Sequence, residues 1–196
     1  MEKKSIILIS IAAVIVLLFS WGISGYNSLV TSREDVNSQW GNVQSKYQRR
    51  SDLIPNLVAT VKGYATHESS TLEGVVAARA KATQITVDPK NLTPEKLQEY
   101  QAAQGQVSSA LGKLLMITEN YPDLKANQNF LDLQTQLEST ENRISVERDR
   151  FNDVAKEYDI LIKRFPKSII ASIFGFTEKP YFESEKGAEK APSVKF

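Results

Sequence analysis

The chain has 196 residues, with 24 Lys plus Arg against 23 Asp plus Glu and no cysteine. That size suits one domain plus an anchor. The missing cysteine excludes disulfides, thiolate metal sites and a cysteine nucleophile, and the balanced charge lacks the basic block with interleaved aromatics that marks a nucleic-acid binder, so no nucleic-acid partner is expected.

Residues 5–24 read S-I-I-L-I-S-I-A-A-V-I-V-L-L-F-S-W-G-I-S and carry no charge. At about 1.5 Å per residue they cross a hydrocarbon core of roughly 30 Å. The stretch is predicted as a transmembrane helix with the lipid bilayer as its partner. A cleaved signal peptide is the rival reading: Gly22, Ser24 and Gly25 favour it, but the apolar core exceeds the usual length of about 7 to 15 residues. Lys3 and Lys4 precede the span, while Arg33, Glu34 and Asp35 behind it largely offset one another. The positive-inside rule then predicts a single-pass protein of the cell membrane with a cytoplasmic amino terminus and an extracytoplasmic domain.

Behind the span, Leu29, Val36, Trp40, Val43 and Tyr47 recur at helical spacing. Ile54, Leu57, Val61, Tyr64, Leu72 and Val75 continue the pattern until it fades near Lys81. Residues 48–68 read Q-R-R-S-D-L-I-P-N-L-V-A-T-V-K-G-Y-A-T-H-E. Pro55 lacks a donor N–H and crowds the preceding turn, so a kink is expected there. Arg49, Arg50 and Asp52 lie within about a turn of it, where at least one should face the packed side and need a partner. Gly63 and the pair Ser69-Ser70 are weak points at which the helix could bend or break.

A loop over residues 85–92, with Asp88-Pro89, precedes a helix that Thr93 caps and Pro94 begins. That helix carries Leu97, Tyr100, Val107, Leu111 and Leu114, and it should stop by Tyr121 because Pro122 disfavours helical geometry before it. A final long helix shows Phe130, Leu133, Leu137, Ile144, Phe151, Val154, Tyr158, Leu161 and Phe165, with Glu141 and Arg148 in the gaps of its coiled-coil-like seam. Pro166 ends it. Residues 169–176 are apolar enough to need cover, and beyond Thr177 the composition reads as a disordered tail in which Tyr181 and Phe182 could still dock. No stretch alternates with period two. The expected fold is all-α: an amino-terminal tail and transmembrane helix (residues 1–25), an elongated antiparallel three- to four-helix bundle (26–182) and a disordered tail (183–196).

Two layouts of the first helix are open. An unbroken helix over residues 28–81 runs roughly 80 Å, against roughly 43 Å for its neighbour. The stripe of Trp40, Val43 and Tyr47 is then left for a second copy or another envelope membrane protein to bury. In that layout Glu119 lies roughly level with the mid-fifties and pairs with Arg49 or Arg50. A break near Gly63 or Ser69 instead folds the chain back and makes the stripe ordinary core.

Y-N-S-L-V at residues 26–30, Trp40, Q-R-R-S-D-L-I-P-N-L-V with K-G-Y and H-E, Y-P-D-L-K-A-N from Tyr121, T-E-N-R from Thr140 and the closing F-P and F-G-F segments resemble the LemA family of bacterial membrane proteins. The resemblance covers nearly everything from Tyr26 to Phe182. It departs at Tyr158-Asp159, where Tyr-Asn is expected, and at Phe151-Asn152, where Tyr-Asn is commoner. It implies one membrane span and an elongated antiparallel helical bundle, and no particular reaction.

Catalytic readings are thin. His67-Glu68 begins like a zinc-protease helix, but the position of the second histidine holds Thr71, and His67 is the one histidine of the chain. Asp52, Glu68, Glu119 and Glu141 could supply acid–base pairs or an ion site, yet charges on long helices usually serve as solvated faces or structural pairs. No cofactor, metal or catalytic residue is therefore expected. A membrane-anchored scaffold acting through protein–protein contact is favoured over an ion-binding protein or enzyme built on the charges within the bundle.

Overall fold

The structure is a computed structural model, and it describes residues 3–183. Among the described residues it has no strand and six α-helices: α1 (Lys3–Lys62), α2 (Ser69–Gln84), α3 (Pro94–Thr118), α4 (Pro122–Lys125), α5 (Gln128–Lys163) and α6 (Lys167–Ile173). A single 3-10 turn, Pro89–Asn91, sits between α2 and α3.

The 60 residues of α1 make a rod of about 90 Å. Its apolar beginning is exposed and long and apolar enough to cross a membrane. The helix passes through Pro55, which lies on the exposed side, and ends at Lys62. Gly63 and Tyr64 close the last turn with tighter bonds to Thr60 O and Val61 O. Tyr64, expected on the buried face, is 43% exposed because it belongs to this reversal. The chain therefore breaks at the weak glycine, and α2 runs back along the distal half of α1.

The loop behind α2 returns at the height of Trp40 and Gln44, whose Nε1 and Nε2 both donate to Val87 O at 3.2 Å. Thr93 Oγ1 accepts Lys96 N and starts α3, which climbs again. At the tip, Tyr121 Oη donates to Glu68 Oε1 (3.1 Å) and Asn127 Nδ2 donates to Tyr64 Oη (2.8 Å). Asn127 also accepts Phe130 N and so caps α5, which descends the full length of the bundle on α1. Lys167 Nζ of α6 donates to Ser28 Oγ at 2.8 Å, so the bundle closes at the level where the uncharged stretch ends.

One expectation falls here. Leu29, Val36, Trp40, Val43 and Tyr47 are at most 5% exposed. They are covered within the chain by α5, α6, Val87, Leu92 and Phe182, so this stripe is not a surface for a second copy or another protein. The covering strap is residues 176–183, in which the composition beyond Thr177 reads as tail but Tyr181 and Phe182 dock, as they were expected to be able to. Phe182 stacks on Trp40 at 5.9 Å and meets Phe151 edge-on at 5.5 Å. The rest of the expected tail, residues 184–196, lies outside the described residues.

Candidate functional site

Hydrophobic burial divides into a proximal cluster around Trp40 and a distal one around Leu57. A polar layer centred on Arg50 lies at their junction. Arg50 falls in the same helical register as the apolar seam of α1, so its guanidinium is carried inward and left 1% exposed. A charge so placed needs its donors matched, and α3 and α5 supply the acceptors. Arg50 Nη1 donates to Ser108 Oγ (2.7 Å) and to both Glu141 oxygens (3.0 and 2.8 Å). Nη2 donates to the backbone O and Oε1 of Gln104 (3.0 and 2.7 Å). Ser108 Oγ also donates to Glu141 Oε1 at 3.0 Å, and the guanidinium carbon lies 5.1 Å from the Tyr47 ring centroid.

Pro55 shapes the same layer. With no N–H at residue 55, the carbonyl of Ser51 loses its helical donor. Arg79 reaches across from α2 and supplies one, Nε to Ser51 O at 2.8 Å. A lined cavity of about 150 Å³ remains between α1, α2 and α3, partly open to solvent and bordered by Arg50, Ser51, Arg79, Tyr47, Tyr100 and Gln104 among others. Burial pushes the phenols of Tyr47 and Tyr100 up from their ordinary values, so both are neutral at physiological pH.

The structure brings together Arg50, Glu141 and Tyr47, with Pro55 acting on the layer through its missing N–H and Trp40 and Val43 beside Tyr47 in the proximal core. Arg49, Asp52, Pro55 and Glu119 are exposed. Asp52 accepts from Gln48 Nε2 at 2.8 Å. The expected pairing of Arg49 or Arg50 with Glu119 is overturned: Glu119 caps the end of α3 at the tip, about 17 Å beyond Ser108 at 1.5 Å per residue. Its height was misjudged because the reversal at residues 63–68 adds a second change of direction before α3. Gln104, Ser108, Arg79 and Ser51 were not singled out from sequence; the unpaired Ser51 carbonyl that Pro55 creates was the available signal for Arg79.

A second polar cluster fastens the strap to α5. Asp159, 4% exposed, accepts Lys179 N (3.0 Å) and Tyr181 Oη (2.7 Å). Asn152 bonds both ways with Phe182, Oδ1 from its N at 2.8 Å and Nδ2 to its O at 3.0 Å. Arg148 lies over the Phe182 ring at 5.0 Å. Both departures from the expected Tyr-Asn pattern thus fall on the strap contacts. Among the described residues no group of three His, Cys, Asp or Glu could hold a metal ion, and His67 is exposed.

The LemA family's sequence profile matches residues 39–196. Magnetosome protein MamQ 2 of Paramagnetospirillum magneticum is 28% identical over 186 positions, covering 86% of this chain and 68% of that protein. Magnetosome protein MamQ of Magnetospirillum gryphiswaldense is similar to the same degree, 28% over 186 positions with the same coverage. Protein LemA of Metamycoplasma hominis is 25% identical over 170 positions, covering 87% of this chain and 74% of that protein. With the family profile spanning the bundle from Gln39 onward and the Arg50 and Pro55 layer inside it, this chain belongs to the LemA family.

Proposed function

We propose that the protein is a single-pass membrane scaffold whose bundle stands on the bilayer and binds other envelope membrane proteins through its outer faces, without catalysing a reaction. The observation that carries this reading is the base of the bundle. Ile170 of α6 seats on Gly25, where any Cβ would overlap Ile170 Cδ1. The other side of α6 leaves Phe165, Ile169, Ile173 and Phe174 between 51% and 77% exposed, and the Phe174 ring lies 4.8 Å from that of Tyr26. Apolar side chains at the exit of the span, with Lys163, Arg164 and Lys167 beside them, suit the boundary of headgroups and acyl chains. Fastened by anchor and base together, residues 25–62 of α1 hold the tip about 57 Å from that boundary. Lys3 and Lys4 support a cytoplasmic amino terminus and an outer bundle.

Because the chain has no cysteine, single labels test the base cleanly. An environment-sensitive dye on Ile173→Cys in full-length protein reconstituted in liposomes is expected to be blue-shifted and shielded from an aqueous quencher. The same dye on Val146→Cys, halfway along α5, should be freely quenched. Equal quenching at both sites would reject a bilayer-seated base. Crosslinking in native membranes followed by purification tests the other half of the reading, and recovery of the protein with no crosslinked protein partner would reject a scaffold.

A further inference from the structure

We infer that the base of the bundle selects anionic phospholipids over zwitterionic ones, by holding three cations at the depth of the lipid phosphates. This selection rests on the seating of the base in the bilayer proposed above, and it names the lipid class that the seat prefers. Equal steps down the antiparallel α1 and α5 fix the height of each charge. Trp40 of α1 meets Phe151 of α5 edge-on at 5.6 Å, and both helices advance about 1.5 Å per residue, so Lys163 falls level with Ser28 and Arg164 with Asn27. Lys167 reaches the same level by a separate contact, its Nζ donating to Ser28 Oγ at 2.8 Å. The uncharged stretch ends at Ser24, which puts this layer of cations about 5–6 Å outside the hydrocarbon core. A bilayer with roughly 30 Å of hydrocarbon and roughly 40–45 Å in total has headgroup layers about 5–7 Å thick, where the phosphates lie.

The donors at this level are largely unspent. Arg164 is exposed, and its guanidinium has no partner among the described residues. Lys167 uses one of its three N–H groups on Ser28 and keeps two. Lys163 pairs with Glu178 at 2.7 Å, but the two side chains are 58% and 62% exposed, and such a pair is weak. Glu178 is the one carboxylate brought to this level among the described residues. Asp159 is buried and already accepts Lys179 N and Tyr181 Oη, while Glu34 and Asp35 stand about 10 Å further out along α1. Three cations against one carboxylate leave a net charge of about +2. The phosphodiester of an anionic lipid brings one negative charge and two acceptor oxygens, which a guanidinium takes in pairs. A choline headgroup carries its own cation, which offsets that attraction. Phe165, 77% exposed between these cations in the chain, supplies an apolar group for the acyl chains beneath the same headgroups.

Trp21 reports the lipid at this leaflet. It lies one turn inside Gly25 on the same face of α1, 43% exposed, and about 25 Å from Lys3 and Lys4, whose charges act on the opposite leaflet. The other tryptophan, Trp40, is buried away from lipid. Full-length protein is reconstituted in equimolar phosphatidylcholine and phosphatidylglycerol, with quenching bromines on the acyl chains of one lipid and then of the other. Phosphatidylglycerol is expected to occupy the positions around Trp21 with an association constant about five to ten times that of phosphatidylcholine, falling toward equality in 1 M salt and in the double variant Arg164→Gln/Lys167→Gln. Arg164→Gln alone removes no contact among the described residues and should bring the ratio down to about two. Equal quenching by the two brominated lipids, or a preference that survives both 1 M salt and the double variant, would overturn the selection. The dye on Ile173→Cys separates this result from failure of the seat itself. A shielded dye without lipid preference rejects the anionic selection alone, whereas a freely quenched dye rejects both.

Discussion

The proximal half of the bundle buries about twice the length of α1 that the distal half buries, residues 29–47 against 54–61, and it does so by different means. Above the Arg50 layer α1 meets α2 and α5, and α3 packs on α2. Helices surround the core there, which is aliphatic, with Ala65, Ala82 and Ala103 at close approaches and Phe130 its one buried aromatic residue. Below the layer α1 and α5 are the long elements, and two helices leave a seam open along both flanks. Six rings fill that seam, from Trp40, Tyr47, Tyr100, Phe151, Tyr158 and Phe182. Mostly irregular chain closes it: the loop around Val87 and the strap, with the short helix α6 between them and the span. Irregular backbone is seldom buried because its N–H and C=O groups lack ladder partners. Here side chains provide them, with Trp40 and Gln44 on Val87 O, Lys179 Nζ on Pro89 O and Asn152 on both backbone groups of Phe182. The proximal half thus depends on individual large side chains, whereas the distal half spreads its burial over many small ones.

The strongest way to break this contrast is to remove one ring. Trp40→Ala is expected to cost about 3–5 kcal/mol in urea unfolding of the full chain in detergent, and to expose residues 176–183 to limited proteolysis, since Phe182 stacks directly on the lost indole. Leu57→Ala, equally buried in the distal core, should cost about 2–4 kcal/mol while leaving the strap protected. If both variants release the strap alike, the halves are one cooperative unit.

The junction comes next in size. Arg50→Ala strands Gln104 Oε1, leaves Ser108 its bond to Glu141, and should cost about 3 kcal/mol, somewhat less than a fully buried pair because Glu141 is 48% exposed and rehydrates. A double-mutant cycle with Glu141→Ala should show coupling above about 1 kcal/mol, and the cycle with Glu119→Ala none. Coupling to Glu119 alone would contradict the layer as described.

Much of this was legible in the sequence, and the misses share a cause. Most seam residues of the long helices, the Thr93 cap and the stop before Pro166 follow from local chemistry, which periodicity and capping report directly; Tyr64 and Phe165, expected on the seams, lie past the helix ends and are exposed. Glu141 and Arg148 announced themselves as gaps in an apolar register, and one pairs with Arg50 while the other covers Phe182. Periodicity says which face a residue occupies, though, and not what stands opposite. The height of Glu119 depended on whether the chain turned at Gly63, and a glycine in a helix costs only about 1 kcal/mol. Packing of α2 on α1 decided the turn, and no local signal carries that. The strap was half legible: Tyr181 and Phe182 stood out as able to dock, but Lys, Glu and Pro around them read as tail, and nothing local names the Trp40, Asn152 and Asp159 that receive them.

Gly175 sharpens the comparison at the base. Its φ of +70° lets Phe176 N reach Ala171 O at 2.9 Å and turn the chain from α6 into the strap. Gly175→Ala is expected to destabilise by about 1 kcal/mol, through the left-handed backbone that alanine disfavours. Hydrogen exchange should place the loss in α6 and residues 176–183 first, with the distal amides unchanged. Uniform loss of protection would mean that the turn is not local to the proximal half.

The smallest effect expected is alkaline titration, and it too should divide the halves. Burial holds the phenols of Tyr47, Tyr100 and Tyr158 above their usual values, and Tyr181 is pushed up to about 12 by burial and by its bond to Asp159. All four lie in or beside the proximal half. An unfolded phenol loses its proton near pH 10. Above that value the unfolded chain holds fewer protons than the folded one, so stability falls as pH rises. Lys179, held down mainly by burial, acts in the opposite sense: it favours folding as pH climbs to its unfolded value of about 10.4 and adds nothing further beyond it. Tyr121 at the distal tip is half-buried and raised chiefly by its hydrogen bond to Glu68, so it adds a loss of the same sign there, from one phenol against four. Between about pH 10.5 and 12 the proximal amides should therefore lose exchange protection before the distal ones, once exchange rates are corrected for hydroxide. Phenolate absorbance should grow in step with that loss. Simultaneous loss in both halves, or phenolate appearing at pH 10 with the proximal half still protected, would show that these rings are not held by the packing described.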